Sequence, residues 1–139
     1  MSIDAQDIAD RYAAVWTEAD PQRRREAIAA LWAPEAVHLL HPPVEVREAA
    51  ARVGFDDPVL EARGHAELEV RVTRAYQEFV APGEFTFRAR KDALRLRDVV
   101  TFGWEMAPSA GGEAVGGGLE FVVVGADGRI TADYQFPGR

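Results

Sequence analysis

The stretch FTFRARKDALRLRDVVTFGWEM, Phe85 to Met106, decides the fold, because here the spacing of the apolar residues changes. Phe85, Phe87 and Ala89 alternate with Thr86, Arg88 and Arg90, and Leu94, Leu96, Val100, Phe102, Trp104 and Met106 alternate along what reads as a second, longer strand. A period of two places each set on one face of a sheet. Toward the C-terminus, a Gly-rich loop at 108–112 leads to a strand over about 113–124. Asp127-Gly128 is a hairpin signal before a last strand over 129–136.

Toward the N-terminus the period is helical. Ile8, Tyr12, Val15 and Trp16 share a stripe of a helix over about 4–18. Asp20-Pro21 caps a second helix whose apolar face is Ala27, Ile28, Leu31 and Trp32, and Pro34 stops it. Ala36 to Leu40 reads as a short strand with His38 and Leu40 on one face, broken by Pro42-Pro43. Val46, Ala49, Ala50 and Val53 give a short helix ending at Gly54, and Val59 to Ala62 has extended character. Leu68, Val72, Ala75, Tyr76 and Phe79 mark a helix over about 65–80, stopped by Pro82-Gly83. Helices followed by a four-strand antiparallel meander make the class α+β, with the helices on one side of a strongly curved sheet. The 139 residues suit a single domain, with no repeat to suggest another.

Composition narrows the chemistry. There is no Cys, which excludes thiol nucleophiles, disulfides and thiolate metal sites. Lys91 is the single lysine and lies in a polar turn, while Ser2 is terminal and Ser109 lies in a Gly/Ala loop without a nucleophile elbow. Chemistry is left to acid/base and electrostatic groups. A net charge of −7 argues against nucleic acid, and the Arg23-Arg24-Arg25 run, flanked by acids, reads as an exposed helix face. Without a signal-like start or a long apolar run, a cytoplasmic protein that does not engage a membrane is expected. The preference for Arg over Lys points to a GC-rich, bacterial type of genome.

The order of elements, with Arg11-Tyr12-Ala13-Ala14-Val15, Leu31-Trp32-Ala33-Pro34-Glu35-Ala36-Val37 and Gly128-Arg129-Ile130-Thr131-Ala132-Asp133-Tyr134, resembles the nuclear transport factor 2-like superfamily and its SnoaL-like domains. These include ketosteroid isomerases, polyketide cyclases and epoxide hydrolases. The resemblance spans nearly the whole chain, apart from an extra segment at about 43–62 expected to shape the cavity mouth. It implies a cone-shaped, cystatin-like roll of antiparallel sheet with N-terminal helices on its concave side. It also implies a homodimer through the outer sheet face and a cavity for a small apolar ligand.

Residue by residue, the resemblance makes Tyr12 a hydrogen-bond donor to an enolate oxygen and Glu120 a second, protonated donor. Where ketosteroid isomerases carry a basic carboxylate on the short strand, this chain has Leu40. His38 or Asp133 is left as the base, and Trp16, Leu40, Trp104 and Gln135 as substrate-contacting residues. Gln135 falls where the epoxide hydrolases have an aspartate, so direct epoxide hydrolysis is not implied. On the last strand, hydrophobicity turns Ile130, Tyr134 and Phe136 inward, whereas the resemblance turns Asp133 and Gln135 inward. Both hold if a second subunit covers the outer face. No cofactor or metal is expected, since His38 and His41 point to opposite faces of a strand. The expected function is a cofactor-independent isomerase or cyclase acting on a small apolar carbonyl compound. The alternative is a non-catalytic binding or interaction module of the same fold.

Overall fold

A computed structural model describes residues 3–56 and 58–138, so the expectation for Ser2 lies outside the described residues. The chain forms α1 (Ala5–Thr17), α2 (Pro21–Leu31), β1 (Trp32–Leu40), α3 (Val44–Arg52), β2 (Leu60–Arg63) and α4 (Gly64–Ala75). A wider π turn over Tyr76–Val80 continues α4, closed by Ala81 N–H donating to the Tyr76 carbonyl at 2.8 Å. Then come β3 (Phe85–Ala89), β4 (Leu94–Leu96), β5 (Val99–Pro108), β6 (Gly116–Val124) and β7 (Ile130–Pro137). The strands make one sheet in the order β2-β1-β7-β6-β5-β3, with β4 paired to β5.

Local chemistry sets the helix starts. Asp4 accepts from Asp7 N–H and Asp20 from Gln22 N–H, with Pro21 at the first helical turn. Caps of this kind are each worth about 1 kcal/mol. α1 packs on β3 and β5, α4 on β1 and β2, and α2 on α4, so the helices fill the concave side of the sheet. Tyr12 stands in the middle of the aromatic packing, edge-on to Trp32 at 5.5 Å and to Phe102 at 5.2 Å.

Four readings of the sequence are corrected. Leu94 to Met106 is not one strand: the chain reverses at Arg97-Asp98, with Arg97 at φ 52°, and β4 folds back on β5. The sequence alternation runs on through the turn and conceals it, but the pairing of Leu94 with Thr101 and of Leu96 with Val99 puts both leucines on the face opposite Val100 and Phe102, 68% and 78% exposed. β1 starts earlier than Ala36, at Trp32, directly from the end of α2. It lies parallel to β7, whereas the other pairings are antiparallel. Arg24 is not exposed but 3% accessible. Its Nε and Nη2 donate to the Glu18 carbonyl at 3.1 and 2.7 Å, its Nη1 to Thr73 at 3.2 Å, and its guanidinium lies 4.7 Å over the Tyr76 ring. Arg24 thus ties α2 to α4 from within the apolar stripe of α2.

The segment at 43–62 contains α3, which buries none of its residues, and the start of β2, which pairs with β1 at the sheet edge. Among the described residues no helix is long and apolar enough to cross a membrane.

Candidate functional site

Register brings the polar residues together. The parallel pairing of β1 with β7 sets His38 beside Asp133 and Leu40 beside Gln135. The antiparallel pairing of β7 with β6 sets Gln135 across from Glu120, which on its other side faces Phe102 of β5. Neighbouring residues in register share a face, so His38, Glu120, Asp133 and Gln135 all point into the cone.

The conflict over β7 is resolved by a bulge. Val124 pairs with Ile130 and Val123 with Ala132, so Thr131 is an extra residue in β7. One extra residue flips the side-chain alternation. Ile130 therefore points inward before the bulge and Asp133 and Gln135 after it, while Tyr134 is 41% exposed on the outer face. The bulge reconciles an inward Ile130 with inward Asp133 and Gln135, whereas Tyr134 and Phe136, which hydrophobicity alone turns inward, lie on the outer face opposite Phe121 and Leu119.

Beside these residues lies a cavity of about 440 Å³. Trp16, Leu40, Phe79, Phe87, Trp104 and Met106 give it apolar walls, and Gly116 and Gly117 of β6 leave the space unfilled. Four polar side chains line it: Tyr12, His38, Arg71 and Gln135. Glu120 and Asp133 are wholly buried and lie behind the lining, beneath its polar end.

The hydrogen bonds assign the protons. Arg71 Nη1 can only donate, and it lies 2.8 Å from His38 Nδ1, so Nδ1 accepts. The imidazole proton is then on Nε2, which donates to Gln135 Oε1 at 2.7 Å. Burial pushes the His38 pKa below its ordinary value, outweighing the pull of Asp133, and the neutral ring is the resident form. Both nitrogens of His38 are committed. It has no lone pair to serve as a base, and its expected role as one is corrected: it fixes Arg71 and Gln135 in place. With Oε1 turned to His38, the amide nitrogen of Gln135 keeps its N–H donors.

Behind this layer sit two carboxyl groups in tight company. Burial, then the neighbouring Asp133, raises the Glu120 pKa well above the carboxylate range, so Glu120 is held protonated. Burial, then Asp133 and Glu120, likewise raises the Tyr12 pKa, keeping its phenol a donor. Besides Trp32 Nε1 in the core, the Tyr12 hydroxyl, the Trp16 and Trp104 indole nitrogens and all four carboxyl oxygens of Glu120 and Asp133 are sealed from solvent without a close hydrogen-bond partner. Such a concentration of unpaired buried polar atoms is costly and marks a site rather than a core. His38, Glu120 and Asp133 place ligand-type atoms within 4.8 Å of one another, but the proton on His38 Nε2 and the bond to Gln135 leave only the carboxyls for a metal ion.

Tyr12, His38, Trp16, Leu40, Trp104 and Gln135, picked from sequence, thus lie together around the cavity, whereas Glu120 and Asp133 are one layer deeper. His41 stacks 5.8 Å from Phe136, and His65 lies 2.7 Å from the Trp32 carbonyl at the start of α4, so neither joins the site. Trp32 is core, and Lys91 pairs with Asp10 at the surface. The sequence reading missed Arg71, although the signal is present. Arg71 lies three residues after Leu68 and four before Ala75, a lone cation on the apolar stripe of α4.

No protein-family model matches the chain, and no curated protein sequence matches it. Solved structures do. A SnoaL-like family protein of Agrobacterium tumefaciens, named as a candidate isomerase, superposes with a TM-score of 0.76 at 23% identity over 97% of both chains. An NTF2-like protein of unknown function from Mesorhizobium loti gives 0.60 at 18% identity, over 97% of this chain and 91% of the other. TerC, co-crystallised with polyporic acid, gives 0.56 at 15% identity, over 96% and 90%. At these identities the likeness is one of architecture, and the chain adopts the NTF2-like fold of the SnoaL-like proteins.

Proposed function

We propose that the cavity binds a small, largely apolar carbonyl compound and polarises its oxygen, without a cofactor. One observation carries this reading: the polar end of an otherwise apolar cavity offers donors. Arg71 is a cation, Gln135 presents its amide N–H groups because its carbonyl is bonded to His38, and the Tyr12 hydroxyl, buried beside Glu120 and Asp133 just behind this lining, keeps its proton. A donor-rich lining fits an acceptor oxygen and favours it further as negative charge develops there. TerC, of the same fold, was co-crystallised with an organic compound, in keeping with a ligand cavity.

Thermal stabilisation across phenols, enones and polyketide-like aromatics tests the binding. Carbonyl compounds should raise the melting temperature of the wild type, and Tyr12→Phe should weaken the effect. A panel with no response, or a response indifferent to Tyr12→Phe, overturns the reading.

A second reading, that the bound compound undergoes isomerase- or cyclase-type proton transfer, draws on the buried Glu120 and Asp133 pair. Two carboxyls with one held protonated are the usual arrangement for separating acid from base. In this reading the Tyr12 phenol, backed by the protonated Glu120, stabilises the enolate, and Asp133, since His38 is committed, is the base once the substrate displaces the His38–Gln135 layer that covers it. It predicts enzyme-dependent deuterium uptake beside the carbonyl in heavy water, lost in Asp133→Asn. Binding without uptake leaves the non-catalytic module. The same proposal includes a homodimer through the outer sheet face, where Phe121 and Tyr134 are 38% and 41% exposed. Sedimentation of the wild type beside Tyr134→Arg tests it.

A further inference from the structure

Two arginines interrupt apolar helix stripes in this protein, and they are satisfied differently. Arg24, at the inner face of α2, uses Nε, Nη1 and Nη2: its acceptors are the Glu18 and Ala19 carbonyls and Thr73 Oγ1, with the Tyr76 ring against its plane. It is a completed structural tie. Arg71, at the inner face of α4, spends Nη1 alone, on His38 Nδ1 at 2.8 Å, the His38 carbonyl at 3.2 Å and the Leu60 carbonyl at 3.3 Å. Its Nε and Nη2 find no acceptor among the described residues, and no carboxylate lies within ion-pair distance of it there. Arg71 is half-buried and lines the cavity.

Asp133 does not fill this role. Asp133 stands on the far side of the His38 ring, 3.9 Å from Nε2, while Arg71 contacts Nδ1. The imidazole therefore separates the two. A guanidinium presents adjacent N–H groups in a planar fork that matches two oxygens on one centre. Taking a cation partly out of water without such a partner is costly, and a ligand that supplies it recovers that cost on binding.

We infer that the ligand is an apolar carboxylate, its carboxylate seated on the Nε and Nη2 edge of Arg71 with the Gln135 amide as a further donor and its apolar body between Trp16, Phe79, Phe87 and Trp104. This deepens the proposed function and rests on it, since it names the polar group of the compound that the cavity holds. The contacts with His38 hold the guanidinium from one side, so the fork is set before the ligand arrives.

The test is calorimetric titration with naphthoate and with acetonaphthone, the methyl ketone of the same ring system, on the wild type, Arg71→Gln and Arg71→Lys. Naphthoate is expected to bind the wild type about tenfold more tightly than acetonaphthone, the effect of a charge-assisted hydrogen bond. Arg71→Gln, which keeps a donor for His38 Nδ1 and loses the charge, should abolish that preference while still binding acetonaphthone. Arg71→Lys should keep part of it. A wild type that prefers the ketone or does not discriminate overturns the inference and leaves the cavity reading intact, as does a preference unchanged in Arg71→Gln. Failure of both compounds to bind the wild type overturns the cavity reading and the inference together.

Discussion

The interior of the cone has two ends that are built from the same strands in opposite ways. Along β6 the inward residues run Gly116, Gly118, Glu120, Val122 and Val124. At the valine end, Trp32, Ile28, Leu31, Phe102 and Ile130 are at most 1% accessible and close-packed. At the glycine end the missing side chains leave the cavity, walled by Trp104, Met106 and Phe87 from β5 and β3. Glu120, at the boundary, is a buried acid with apolar packing on one side and the ligand space on the other. The closed end supplies the stability that lets the open end carry unfilled volume and unpaired polar atoms.

Exchanging features between the two ends should break this division. The largest effect is expected at the closed end, where Trp32→Ala should cost about 3–5 kcal/mol by denaturant titration. A loss under about 1 kcal/mol would mean that this end is not tightly packed. Gly118→Ala comes next. A Cβ there would lie 2.6 Å from Trp104 Cζ2 and 2.7 Å from the Phe136 carbonyl oxygen, so the indole or the β7 backbone must shift. A cost of about 1–3 kcal/mol is expected, with altered Trp fluorescence.

The boundary is probed by pH. Glu120 is favoured protonated in the fold, so its contribution is complete below the ordinary value of 4.5 and is lost as pH rises through its elevated folded value. His38 works in the opposite sense: its neutral form is favoured, so its contribution is present above 6.5 and lost as pH falls through its lowered folded value. Glu120→Gln should flatten the decline on the alkaline side and leave the acid limb in place. An unchanged alkaline limb would show Glu120 to be ionised in the fold.

The smallest effect on stability belongs to the open end. Gly116 lines the cavity, and a Cβ there meets only Met106 Cε, at 4.0 Å. Gly116→Leu should change stability by less than about 0.5 kcal/mol, yet fill the mouth and abolish ligand binding. Ligand binding retained in a stably folded Gly116→Leu would place the binding site elsewhere.

The two ends also differ in how far the sequence reveals them. The closed end is legible because its residues obey one period each: Ile28 and Leu31 on a helix, Phe102 and Val100 on a strand. Tyr12, Trp16 and Trp104 fall on the same patterns and are placed correctly by them. What the sequence conceals comes from non-local pairing and from rule-breaking residues. The Thr131 bulge reverses the faces of β7, and nothing in Ile130 to Phe136 announces it. The tautomer of His38 depends on Arg71, 33 residues away. Arg24 and Arg71 could have been seen as cations on apolar stripes, but only contacts tell the completed tie from the one with donors to spare. The depth of Glu120 and Asp133 is likewise a matter of packing, since facing inward does not decide between lining a cavity and lying under it.

Polarisation of an acceptor oxygen at the open end can be read from the infrared C=O stretch of isotope-labelled acetonaphthone bound to the protein. A band at lower frequency than in an apolar solvent is expected, moving back toward the apolar value in Tyr12→Phe. A bound ketone whose stretch matches the apolar solvent, or is the same in wild type and Tyr12→Phe, would contradict this polarisation.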